Sequence, residues 1–159
     1  MSDTYDAVIE IPEGSLNKYE LGQDGSLFLD WVMPIPFPTN YGSILNTLGG
    51  DGDMLDVMLI TDNPLPVLCK VKIRPIGVLK MIDNNEEDYK VVAVAVKDQS
   101  KAKIVELSDL PPDFKPKVEM FFKHIKASVN QWQGVPITLN GWGDATEAMR
   151  VILSSVQKG

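Results

Sequence analysis

The 159 residues contain a single cysteine, Cys69. An intrachain disulfide is therefore excluded, and the chain fits a reducing cytosol, so a cytoplasmic location is expected. Cys69 itself, beside Leu68 and Val71, reads as a small core residue. There is no run of about 18 apolar residues, so no membrane span is expected. The opening "MSDTYDAVIEIPEG" lacks the basic region and apolar core of a signal peptide. Positive charge is in deficit: 15 Lys and Arg against 22 Asp and Glu leave a formal charge of -7. That argues against a duplex nucleic-acid surface. It leaves anionic substrates open, because metal cations between an acidic site and a phosphate invert the local field.

No internal repeat, low-complexity tract or long linker interrupts the chain, which reads as one domain over 1–159. "YDAVIEIP" alternates with period two and predicts a strand. "NKYEL", "GSLFLDWVM", "MLDVMLI", "CKVKIRPIGVLKM" and "YKVVAVAV" predict further strands, the last two joined through the acidic connection "IDNNEED". "PIPFPTNYGSI" predicts an ordered loop, since its three prolines offer no N–H to a ladder. Helices come last. Val118, Phe121, Phe122, Ile125 and Val129 fall on one helical face. Asp144 is a natural N-cap, with Glu147 three residues on. Phe121, Phe122 and Trp142 read as core, and His124, the only histidine, as a helix-surface residue. Strands followed by helices predict an α+β fold. A five-stranded, OB-like, closed antiparallel β-barrel flanked by two C-terminal helices fits the count.

The stretch "GGDGDMLDVMLI", residues 49–60, gathers Asp51, Asp53 and Asp56 at the start of an apolar strand. Crowded carboxylates repel, and burying them is costly without compensation. Hard divalent cations relieve exactly this kind of crowding in principle, since they prefer several carboxylate oxygens. Asp-Gly is also a turn former, so the cluster read alone favours a solvated turn over a metal site. Asp83 and Asp88 bracket the later acidic connection, and Glu10 and Glu20 lie in the first two predicted strands. Glu10 falls between Ile9 and Ile11 and must face opposite to them in a regular strand. Lys18, Arg74, Lys90 and Lys126 supply cations among these acids.

"DGDMLDVM" resembles the Asp-x-Asp-Pro-x-Asp signature of the soluble family I inorganic pyrophosphatases. "VIEIPEGSLNKYEL", "GSLFLDWVM", "PTNYGSILNTLGGDGD", "IRPIGVLKMID" and "FFKHIK" follow in that family's order and near its spacing, over roughly residues 5–155. The resemblance implies Mg-dependent hydrolysis of pyrophosphate to two phosphates by a metal-activated water, with several Mg2+ ions and Mn2+ as a substitute. It assigns Asp51, Asp56 and Asp88 to a first metal, Asp56 to a second, and Asp83 with Asp88 to a third. Glu10 and Glu20 join through metal-bound waters, and Asp53 is the general base. Lys18, Tyr41, Lys90 and Lys126 match substrate-binding positions. A homo-oligomer, a hexamer in bacterial members, is implied as well, with no nucleic-acid or membrane partner.

The departures from the family pattern fall on phosphate donors. Trp31 stands where the family has an arginine, whose fork an indole cannot imitate. Phe37 and Ile125 replace tyrosines, Met54 replaces the signature proline, and the loop from Trp31 to Tyr41 is slightly short. All seven aligned carboxylates remain. Two alternatives therefore stay open: a divergent hydrolase of another phosphoanhydride or diphosphate compound, and a metal-binding pseudoenzyme.

Overall fold

The structure, a computed structural model, describes residues 3–22, 24–128 and 136–156. Nine strands and two α-helices follow in the order β1 (Tyr5–Ile11), β2 (Asn17–Leu21), β3 (Leu27–Val32), β4 (Asn40–Ile44), β5 (Asp56–Ile60), β6 (Lys70–Asp83), β7 (Glu86–Glu87), β8 (Lys90–Ala95), α1 (Phe114–Ser128), β9 (Ile137–Asp144) and α2 (Ala145–Ser155). β2 and β3 form a separate hairpin, and the other seven strands share one mixed sheet. Among the described residues, no helix is long and apolar enough to cross a membrane.

The alternation in β5 and β8 builds both sides of the sheet. Met58, Val92 and Val94 join one core cluster, whereas Val57, Leu59, Val91 and Ala93 join the other. Strands buried on both faces read as continuous apolar runs, as these two do. α1 covers the first cluster with Val118, Phe121, Phe122 and Ile125. α2 covers the second with Ala148 and Ile152. Val129, the fifth residue of the predicted apolar face, lies outside the described residues. Cys69 is only half-buried, at the edge of the second cluster, because Leu68 turns the chain there with a φ of 68°.

Following the ladders from β1 through β4, β5, β8 and β6 leads back to β1. The uniformly antiparallel pairing expected from the sequence is not found, because β5 and β8 run parallel. A circuit of five strands cannot alternate direction all the way round, so at least one adjacent pair must agree. β6 serves several neighbours along its 14 residues. Its first residues pair with β1 as far as Ile73, and β9 takes over that role from Gly77. Pro75 falls in the gap between them, beside a bulge in the β8 ladder, where its missing N–H is tolerated.

Two further expectations need correction. The end of "PIPFPTNYGSI" is β4, whose buried Asn40, Ser43 and Ile44 begin just after the last proline. The helices are not consecutive, since β9 runs between them. Its "ITLNGWGD" carries two glycines and an asparagine, and its edge position needs little apolar alternation. Asp144 does cap α2, its Oδ1 accepting from the Glu147 N–H at 2.8 Å. The Glu147 carboxylate pairs with Lys80 at 3.0 Å.

Candidate active site

A cavity of about 760 Å³ opens beside α1. All eleven residues that the resemblance assigns to the site line it: Glu10, Lys18, Glu20, Tyr41, Asp51, Asp53, Asp56, Asp83, Asp88, Lys90 and Lys126. They arrive from β1, β2, β4, β5, β6, β8, α1 and two connections, so no short stretch carries the site.

Local geometry explains how each points inward. Asp51 and Asp53 sit in a tight turn in which Gly52, at a φ of 87°, supplies the left-handed backbone. The turn is tied by Gly49 N–H to Asp53 carbonyl at 2.7 Å, and Asp51 Oδ1 accepts from the Asp53 N–H at 3.1 Å. Asp56 opens β5 directly opposite Lys90, which opens β8 in the parallel ladder. Asn84 and Asn85, both at positive φ, make the two-residue reversal between β6 and β7. That reversal brings Asp83 and Asp88 to the same end of the sheet. Glu10 depends on a β-bulge: Ile9 pairs with Gly42 and Ile11 with Tyr41, leaving Glu10 as the extra residue. The slip sends Ile9 and Ile11 into different core clusters, so simple alternation misreads this strand.

Ion pairs organise the charges. Lys90, 4% exposed, donates to Asp56 Oδ2 at 2.6 Å and Asp88 Oδ1 at 2.8 Å. Tyr41 adds its hydroxyl to the same Asp56 oxygen at 2.8 Å. Burial pushes the Asp56 carboxyl up to about 7; Lys90 opposes this and Asp88 adds to it. Burial works against ionised Asp88 as well, but there Lys90, helped by Asp56 and Lys126, holds Asp88 below its ordinary value. Burial and the nearby Asp56 anion raise Tyr41 well above the usual phenol range, so it stays a donor. Burial, then the neighbouring Asp88 and Asp53, raise Asp51. Lys126 meets Asp83 at 2.7 Å, and Lys18 meets Asp30 at 2.7 Å and Glu20 at 3.3 Å.

Two contacts went unread in the sequence. Asp30 anchors Lys18, and Ser43 donates to Glu10 Oε1 at 2.6 Å. Neither type carries a signal alone; only the i, i+2 relation of Ser43 to Tyr41 on a known strand would mark it. The substituted positions behave as apolar wall. Phe37 and Ile125 line the cavity and are 4% and 3% exposed. Trp31 packs against the core cluster and is not among the lining residues. Arg74 is absent from the lining too; it donates to the carbonyls of Ile104 and Lys101 at 2.9 and 3.2 Å.

Seven carboxylates face three lysines across this space, a formal excess of four negative charges. Among the described residues, no three His, Cys, Asp or Glu side chains form a ready-made cage. Instead the oxygens are spread round the cavity. An all-oxygen donor set in negative excess fits hard divalent cations that retain water ligands.

The family model for inorganic pyrophosphatase matches residues 7–159. The chain is 42% identical over 151 residues to an inorganic pyrophosphatase of Leifsonia xyli subsp. xyli, covering 93% of this chain and 91% of that protein. Among solved structures, an inorganic phosphatase from Anaplasma phagocytophilum superposes with a TM-score of 0.91 at 35% identity, covering 97% of this chain and 92% of that one. The inorganic pyrophosphatase of Thermus thermophilus gives 0.90 at 34% identity, with 97% and 90% covered. On a match that spans nearly its whole length, the chain belongs to the family I inorganic pyrophosphatases.

Proposed function

We infer that the chain hydrolyses inorganic pyrophosphate to two phosphates, with divalent cations held by Asp51, Asp56, Asp83 and Asp88 and, through water, by Glu10 and Glu20. The observation that supports this most is the convergence of seven carboxylates and three lysines on one cavity. When bound, magnesium or manganese ions would neutralise the substrate's charge and acidify a water. Asp53, exposed at the lip of the turn, acts as general base and takes a proton from the attacking water. One phosphate gains the water oxygen, and the other leaves with the bridging oxygen. Lys18, Lys90 and Lys126 place positive charge against phosphate oxygens, and Tyr41 fixes Asp56 by its hydroxyl. The chain's own contribution is therefore placement and neutralisation more than covalent chemistry.

The decisive measurement is phosphate release from magnesium pyrophosphate by the wild type and Asp53→Asn. A loss of about a hundredfold or more is expected; equal rates would sink the assignment. The apolar wall of Phe37 and Ile125 favours a second reading, in which another diphosphate compound is preferred. A substrate panel decides it: preference for plain pyrophosphate over nucleoside and organic diphosphates removes that reading. The circuit of pairings back to β1 supports a closed five-stranded OB-like barrel within one domain. A cytoplasmic homo-oligomer, a hexamer by resemblance, completes the proposal, and sedimentation measures its size.

A further inference from the structure

Tyr41 and Ser43 stand two apart on β4, so their side chains leave the same face of the strand. Each sends its hydroxyl to one carboxylate of the cavity, Tyr41 to Asp56 at 2.8 Å and Ser43 to Glu10 at 2.6 Å. The Ser43 pair is largely buried at the cavity wall: Glu10 is 9% exposed and Ser43 6%. Glu10 also sits on the bulge of β1, where the ladder leaves its backbone unpaired with β4. A side chain on an extra residue needs another constraint to fix its direction. The facing strand supplies one, because Gly42 lets the backbones close up there. A Cβ at that position would run into the Val8 carbonyl. The hydroxyl occupies Glu10 Oε1, and the Leu21 backbone N–H and the Lys18 charge act on the same carboxylate from β2.

We propose that Ser43 is a positioning residue that orients the Glu10 carboxylate for cation binding in this cavity. The proposal rests on the reading of Glu10 as part of the cation-binding shell. A hydrogen bond that orients a ligand typically changes metal affinity by about 10–100-fold when removed. Because Glu10 is expected to act through water, the lower end applies.

The test titrates magnesium into the wild type, Ser43→Ala and Ser43→Thr by calorimetry, and follows phosphate release against magnesium in the same three proteins. Ser43→Ala should bind magnesium about tenfold more weakly and need correspondingly more of it for half-activity. Ser43→Thr, which keeps the hydroxyl, should stay within about twofold of the wild type. In a Glu10→Gln background the Ser43→Ala effect should vanish, which a general packing defect would not produce. Unchanged magnesium response in Ser43→Ala overturns the proposal, as does an equal loss in Ser43→Thr or a loss that persists with Glu10→Gln. Should Ser43→Ala fail to fold, Ser43→Cys, near in size and a weaker donor, is judged by the same criterion. A wild type that binds magnesium and releases phosphate while Ser43→Ala matches it leaves the functional reading standing and removes only Ser43. A wild type that does neither takes both down.

Discussion

Lys90 brings one positive charge to two carboxylates, and the division is unequal. Asp56 is left near 7, where a modest change of pH switches its charge. A raised carboxyl favours the protonated fold, so its contribution to stability is complete below the ordinary value of 3.8 and is lost as pH rises through about 7. The metal-free protein should therefore lose melting temperature between about pH 4 and about pH 7, and Asp56→Asn should flatten that slope. A slope unchanged by the substitution would refute the assignment. Cations compete with the same proton, so magnesium affinity should climb over this window and level off above it, as calorimetry at several pH values would reveal. At this scale the site was legible in the acids and lysines but not in their helpers. A lone serine or aspartate has no pattern, and Ser43 and Asp30 acquire meaning only from the strands that face them.

Strand geometry decides whether those side chains meet. Gly42→Ala forces a methyl group into the β1 backbone beside the bulge. It should destabilise the fold by about 3 kcal/mol or more and disturb Glu10, measurable by chemical denaturation. Asp144→Ala removes the cap of α2 and should cost about 1 kcal/mol with little change in activity, since α2 covers the sheet side away from α1. A cost near zero would mean that the cap is redundant with the packing of Ile152. The alternation of β1, the continuous apolar runs of β5 and β8 and the helical period of α1 were readable because one-sided or two-sided burial imposes them. β4 was hidden by the prolines just before it. β9 was hidden by its glycines and its place at the edge of β6. The direction of Glu10 was hidden by a bulge, which adds one residue and inverts the alternation beyond it.

The molecule as a whole carries seven more negative than positive charges, and its cavity concentrates four of the excess. Folding against that repulsion should be eased by divalent ions in particular. Magnesium at about a hundredfold excess over its dissociation constant should raise the melting temperature of chelator-treated protein by about 5–10 °C. Sodium chloride at equal ionic strength should do less, because screening acts weakly inside a partly enclosed space. Equal shifts from both salts would count against specific sites. The parallel pairing of β5 with β8 has a consequence for biosynthesis. Asp56 leaves the ribosome long before Lys90, and Lys126 emerges later still. A nascent chain thus passes through a stage in which its clustered aspartates are already synthesised while their counter-charges are still to come. Synthesis of that intervening chain, slower than loop closure, sets the earliest moment at which the centre is complete.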